Sequence, residues 1–487
     1  MERHIKIDPI TRLEGHGRVE IFLDANGDVD KAFFQVPELR GFEEFCKGRL
    51  AEDLARITPR ICGVCPTTHH MASGKALDDL YHVEPPPAAR KIRELLNSAF
   101  MFEDHTLHFF YLGGPDFIVG PQAAKAERNI LGVLSKVGLE IGQKVIDIRR
   151  KVRLVIEKQG GRVIHPVCNV PGGVSKGVTP EDRAHYQELA GEMLAFAQFV
   201  LATFEKIVLK NSEYLELITG DIYQHRTYYM GTVDAQNKVN LYDGDLRVVT
   251  PDGAEFARFK ARDYLQHIGE HVEPWSYVKF AYLKNVGWQG FVDGKTSGIY
   301  RVAPLARLNA ADGMATPLAQ EQYTKMFARL GGKPAHNTLA YHWARLIEVL
   351  YAAERFQELA NDAEICSPHI RTIPTEIPTE GIGSVEAPRG TLIHHYRTDP
   401  QGKIMAVNLI VATTNNAAAI CMSIEKAARK LIRGGKVTDG ILNMVEMAFR
   451  AYDPCFACAT HSLPGQMPLV VAIYNDHHDL INEVRRD

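Results

Sequence analysis

The stretch Ile92-Arg-Glu-Leu-Leu-Asn-Ser-Ala-Phe-Met-Phe-Glu-Asp-His-Thr-Leu-His-Phe-Phe110 decides the fold class. Ile92, Leu95, Leu96, Ala99, Phe102, Thr106 and Phe110 recur at helical spacing and line one face. The run stops at Gly113-Gly114, whose backbone freedom ends a helix. Outward from it, similar spacing predicts long amphipathic helices at about 122–158, from Pro180 to about 220, and at about 337–361. Two more are expected at about 417–433 and 439–450, the second stopping before Pro454, which cannot continue it. Near the N-terminus Val19, Ile21 and Leu23 alternate with polar residues, Asn26-Gly27 marks a turn, and Phe33-Phe34-Gln35-Val36 returns. Between 231 and 310 the pattern changes. Asp243-Gly244 and Asp252-Gly253 flank Leu246-Arg-Val-Val249, which is turn–strand–turn chemistry. The expected fold is α+β and mainly helical: a long-helix bundle body with an N-terminal β-hairpin in 1–60 and a β-rich insertion at 231–310. A C-terminal extension at 462–487 completes what reads as a single domain.

The chain has 487 residues, 45% hydrophobic and 24% charged, with a formal net charge of −3. That is globular composition and excludes a disordered or fibrous protein. Near-neutral charge gives no general attraction to nucleic acid or to an anionic membrane. The longest uncharged run, Ile404 to Ile424, contains Asn408, Thr413, Thr414, Asn415 and Asn416. These are costly in lipid, so the run reads as buried core and no membrane span is expected. The first residues carry no apolar signal segment, and 8 Cys are too few for a secreted disulfide scaffold. A reducing, cytoplasmic location is the expectation.

Four cysteines form two Cys-x-x-Cys pairs, Cys62-Gly-Val-Cys65 before a helix and Cys455-Phe-Ala-Cys458 after one. Two thiolates at this spacing can meet one metal, and a helix N-terminus favours the thiolate form. If the fold joins the pairs, a four-sulfur site results. Structural zinc remains open, although ribbon-type zinc sites set their pairs about 15–20 residues apart. A thioredoxin-like redox pair also remains, without its usual βαβ context. His69, four residues after Cys65, shares its helix face. It is either a hydrogen-bond partner of a metal-bound sulfur or a satisfied core histidine. His105 and His108, at i and i+3, read as a zinc pair or as packed helix residues, the second being the better fit.

The segments Arg12-Leu-Glu-Gly-His16, Arg40-Gly-Phe-Glu43, Arg60-Ile-Cys-Gly-Val-Cys65 with His69-His70, and Asp453-Pro-Cys-Phe-Ala-Cys-Ala-Thr-His461 resemble the large subunit of nickel–iron hydrogenases. His165-Pro166 with Pro171-Gly-Gly173, Pro388-Arg-Gly390 and Thr413-Thr-Asn415 look like the same family. The resemblance implies that Cys62, Cys65, Cys455 and Cys458 hold nickel. Cys65 and Cys458 would bridge to an iron carrying CO and two cyanides. Glu14 would be the proton-relay carboxylate. Arg389 would sit over the iron and its cyanides, held by Asp116 and Asp453, with Thr413 donating to a cyanide. Glu43, the Leu409 carbonyl and His461 would bind a second ion, Mg²⁺ or Fe²⁺.

The implied activity is heterolytic, reversible cleavage of dihydrogen. Its electrons would pass to the iron–sulfur clusters of a small subunit, because the other cysteines, Cys46, Cys168, Cys366 and Cys421, are isolated and form no cluster that could hold a relay. Beyond it would lie further flavin or iron–sulfur electron-transfer subunits and a soluble acceptor: NAD(P), a deazaflavin, ferredoxin or a disulfide reductase. The tail Ser462–Asp487 extends past the position where mature relatives end, which implies a maturation protease. A hydrogen sensor with the same metal site is the alternative.

Overall fold

The computed structural model describes residues 3–8, 10–460, 469–474 and 480–486. Its body is built from long helices. Ala340–Asn361 is buried almost all round and packs on Pro87–Leu107 and Pro180–Phe204. Leu139–Gly160 covers the outer side of Pro87–Leu107. Trp343, Leu346, Ile347, Leu350 and Phe356 fill the contact layers.

The predicted helices are present, with breaks where local chemistry demands them. The segment 122–158 starts only at Ile130, where Asn129 caps the N–H groups of Leu131 and Gly132. It is interrupted at Gly138, whose φ is 89°. Pro180–Phe204 opens with a capping box between Thr179 and Asp182, passes through a π-helical turn at Glu205–Leu209, and is followed by Ser212–Thr219. Ala412–Leu431 and Asp439–Arg450 close the helical part.

The N-terminal hairpin, Arg18–Leu23 with Val29–Gln35, gains a third antiparallel strand, Arg3–Ile7. The insertion is β from Tyr228 to Arg301, in a four-stranded and a two-stranded sheet. Its predicted last residues are instead the helix Pro304–Ala310, since Pro304 suits a first helical turn.

A three-stranded antiparallel meander, Glu380–Ala387, Gly390–Thr398 and Ile404–Ile410, was not foreseen. Its middle strand is buried on both faces, so it lacks the polar alternation that marks a strand. Helix Pro66–Leu80 lies directly on this sheet. A Cβ at Gly381 would meet the Ala76 carbonyl oxygen, and one at Gly383 the Ala72 carbonyl oxygen, so only glycine allows the approach. The run Ile404–Ile424 is largely buried, with Met405 exposed on the edge strand, and divides at Val411 into strand and helix. The C-terminal segments Leu469–Tyr474 and Leu480–Arg486 pair antiparallel. Among the described residues, no helix is long and apolar enough to cross a membrane.

Candidate metal centre

Cys62 leaves the short 3₁₀ turn Thr58–Ile61 with extended backbone, and Cys65 stands immediately before helix Pro66–Leu80. The Sγ of Cys62 accepts the N–H groups of Val64 and Cys65, each at 3.2 Å. On the other side, Asp453 takes a left-handed φ of 59° and turns the chain out of helix Asp439–Arg450 into the second pair. The Glu14 strand segment clamps that turn. Phe456 N–H donates to the Glu14 carbonyl at 3.0 Å, and Glu14 N–H points to the Pro454 carbonyl at 3.4 Å.

The four sulfur atoms lie within 4.8 Å of one another, and all four residues are buried. Cys62 Sγ is 3.3 Å from Cys455 Sγ, Cys65 Sγ 3.4 Å from Cys458 Sγ, and Cys455 Sγ 2.8 Å from Cys458 Sγ. Burial works against ionisation throughout, and it drives Cys455 and Cys458 far up. At Cys62 burial is outweighed by hydrogen bonds from Cys455, Cys458 and Cys65, and its thiol is held low. Four thiolates this close repel unless a cation sits among them, and soft sulfur suits a soft transition metal. The donor set therefore fits a thiolate-bound metal centre.

Glu14 reaches the cluster. Its Oε2 lies 2.9 Å from Cys455 Sγ and accepts the Ala457 N–H at 3.3 Å. Burial, then the charge at Cys62, raises its carboxyl above the usual range. Arg389 is fully buried. Its guanidinium meets Asp104 through Nη1 at 3.2 and 3.3 Å, and Asp453 through Nη2 at 2.9 Å.

Asp104 takes the place expected for Asp116, and this corrects the sequence reading. Asp104 belongs to helix Pro87–Leu107, and its side chain is completely buried. Asp116 follows the π-helical turn His108–Gly113, which redirects the chain. It binds Arg12, Arg450 at 3.2 and 3.3 Å, and Asn443 at 3.1 Å.

Thr413 lies in the first turn of helix Ala412–Leu431, where its Oγ1 accepts the Cys455 N–H at 3.0 Å. His165, with φ 59°, brings Nε2 within 3.2 Å of the Cys62 carbonyl. Glu43 Oε1 accepts the Leu409 N–H at 2.9 Å, which sets the Glu43 carboxylate beside that residue of the meander. His461, the third group expected at a second ion, lies outside the described residues. His69 is buried behind the cluster with Nδ1 3.1 Å from His394 Nε2. His105 meets Glu348 at 2.9 Å and His108 meets the Arg450 carbonyl at 2.9 Å, so these are packed helix residues.

Sequence reasoning passed over Asp104, His394 and Tyr396. Asp104 did leave a signal: three polar residues, Glu103-Asp104-His105, interrupt an apolar helix that must be buried, so they need partners.

The chain is similar to known proteins along nearly its whole length. The profile described as nickel-dependent hydrogenase matches residues 40–166 and 181–461, and one described as HoxL-like matches 4–39. An F420-non-reducing hydrogenase iron-sulfur subunit of Archaeoglobus profundus is 49% identical over 484 residues, covering 99% of each chain. The NAD-reducing hydrogenase HoxS subunit beta of Cupriavidus necator is 38% identical, covering 100% of each. Among solved structures, an NAD⁺-reducing [NiFe]-hydrogenase in the H2-reduced state superimposes with a TM-score of 0.89 at 38% identity, covering 94% of this chain and 99% of that one.

Proposed function

We propose, because the chain belongs to the nickel-dependent hydrogenase family, that Cys62, Cys65, Cys455 and Cys458 are the ligands of its nickel–iron centre. The chain is the catalytic large subunit of a nickel–iron hydrogenase, an oxidoreductase that cleaves dihydrogen heterolytically and reversibly. The bound nickel–iron pair supplies the two-electron chemistry of that cleavage. The residues around it bind, orient and carry the proton.

In this reading Cys65 and Cys458 would be shared between nickel and iron, while Cys62 and Cys455 would be held by nickel. Glu14 exchanges the proton with Cys455 Sγ across 2.9 Å. Its raised carboxyl supports the role, because a carboxyl raised toward neutrality can both take and release a proton. Arg389, held by Asp104 and Asp453, would offer fixed N–H donors to an iron carrying one CO and two cyanides. Thr413 already uses its oxygen to accept the Cys455 N–H, so its own hydrogen is available to a cyanide. Glu43, the Leu409 carbonyl and His461 form the site of Mg²⁺ or Fe²⁺, an oxygen-rich set suited to a hard ion.

Electrons leave through an iron–sulfur small subunit, since among the described residues the four cysteines are the one clustered metal-ligand group. The electrons continue through flavin or iron–sulfur subunits to a soluble acceptor in the cytoplasm. The NAD-reducing name of one relative supports a coenzyme-linked complex, while the F420-non-reducing name of another speaks against F420 as the acceptor. The tail 462–487 is the substrate of a maturation protease in this reading.

The contact between Glu14 and the cluster carries the proton-transfer assignment. In Glu14→Gln, nickel and iron remain at wild-type content while hydrogen–deuterium exchange is lost. Normal exchange in that variant contradicts the relay.

A further inference from the structure

The segment that carries Glu14 and the segment that carries Cys455 are tied together a second time, away from the sulfurs, by two arginines that reach in opposite directions. Arg450 ends helix Asp439–Arg450, just ahead of Cys455, and its side chain is completely buried. Its guanidinium crosses to the Glu14 segment. Nε donates to the Thr11 carbonyl at 3.1 Å and Nη2 to Thr11 Oγ1 at 3.0 Å. Arg12 reaches the other way, and its Nη2 donates to Asn443 Oδ1 on the Cys455 side at 3.0 Å. Glu446 strengthens the join, accepting the Thr11 N–H at 3.2 Å as well as Arg450.

Asp116 stands where the two arms cross. Its Oδ1 accepts from Arg12, from Arg450 at 3.2 Å and from Asn443 Nδ2 at 3.1 Å. Burial works against its charge, but Arg450 and Arg12 outweigh burial and hold the carboxyl below the ordinary carboxylate range. Take that carboxylate away and two buried cations are left facing each other, one on each segment. Arg12 also has a φ of 62°, a left-handed conformation that a residue with a side chain keeps only where its surroundings enforce it. Two residues further on, Glu14 pairs in parallel with Cys455.

We propose that Asp116, acting through Arg12 and Arg450, is a positioning residue for proton transfer: it locks the Glu14 segment in register with the Cys455 turn and so maintains the 2.9 Å contact between Glu14 Oε2 and Cys455 Sγ. Proton transfer needs its partners within hydrogen-bond reach, and a displacement of about 1 Å is enough to slow it. The inference rests on the proton-relay reading of Glu14 above.

The test uses Asp116→Asn in the assembled enzyme, with two kinds of readout. The first is amide hydrogen exchange followed by mass spectrometry. Peptides covering 10–16 and 453–459 exchange faster in the variant, while helix Pro87–Leu107 keeps its wild-type protection. The second separates cleavage from proton exit. Nickel and iron stay at wild-type content, and para–ortho conversion of dihydrogen, which needs no proton to leave, persists near the wild-type rate. Exchange of dihydrogen with solvent deuterium falls roughly 10- to 100-fold. Arg12→Gln, at the less buried end of the clamp, gives the same pattern and serves if Asp116→Asn does not accumulate. Wild-type amide exchange in the two peptides overturns the inference. So does a solvent exchange rate that stays at wild type or falls only in step with para–ortho conversion. Normal solvent exchange in Glu14→Gln overturns the relay reading instead, and the amide readout in Asp116→Asn then still decides whether the clamp holds the two segments.

Discussion

Gly15 shows how tightly the site is specified at single residues. Its φ is 84°, and a Cβ there would stand 2.7 Å from the Ala457 nitrogen, in the loop that carries Cys455 and Cys458. Gly15→Ala therefore strains the backbone by about 1–3 kcal/mol and pushes Glu14 away from Cys455. We expect a lower unfolding midpoint in urea and slowed hydrogen–deuterium exchange. Wild-type values for both would mean that the close approach is not needed. The motif Arg12-Leu-Glu-Gly-His16 made Glu14 legible through the family resemblance, whereas the need for glycine at position 15 shows only in the tertiary contact. The partner of Arg389 was less so. Asp104 and Asp116 are both buried acids near the same helix end, and only the π-helical turn between them decides which reaches the guanidinium. Such a turn leaves no periodic trace, so the sequence favoured the wrong one.

At the scale of elements, a buried ion network ties the end of the insertion to the helical body. Arg307, on helix Pro304–Ala310, binds Glu348 of helix Ala340–Asn361 at 2.6 and 2.7 Å and Glu386 of the meander at 2.7 Å. Despite burial, Arg307 and His105 hold the Glu348 carboxyl down to about 2. A carboxyl with a lowered folded-state pKa stabilises fully above its ordinary value of 4.5, and that contribution is lost as pH falls from there toward 2. Glu348→Gln leaves Arg307 with Glu386 as its remaining carboxylate, removes the charge from the contacts to Arg307 and His105, and costs about 1.5–3 kcal/mol at pH 7. The gap between wild type and variant narrows as the pH of the urea titration is lowered below about 4.5. An equal gap at both ends of that range contradicts the account. Helices were legible here because their apolar residues recur at a fixed spacing. The meander at 380–410 was not, since His394, His395 and Tyr396 face buried surroundings on both sides. Its glycines serve helix packing rather than turns.

Across the whole molecule, the fold's main task is to bring together two sulfur pairs 393 positions apart in sequence. The helical body fixes Cys62 and Cys65 at the start of Pro66–Leu80. The returning chain, locked by Glu14 and Thr413, supplies Cys455 and Cys458. The two Cys-x-x-Cys motifs stated the donors, but their meeting is a property of the tertiary structure that spacing alone does not fix. It follows that no single cysteine is dispensable. Removing Cys458 takes away a proposed bridge and leaves three sulfurs, so Cys458→Ala fails to retain the bimetallic centre. The most direct measurement is elemental analysis of the purified wild-type complex beside that variant. The account predicts one nickel and at least one iron for each wild-type copy of this chain, with nickel lost from Cys458→Ala. Zinc in place of nickel in the wild type, or undiminished nickel in the variant, contradicts it.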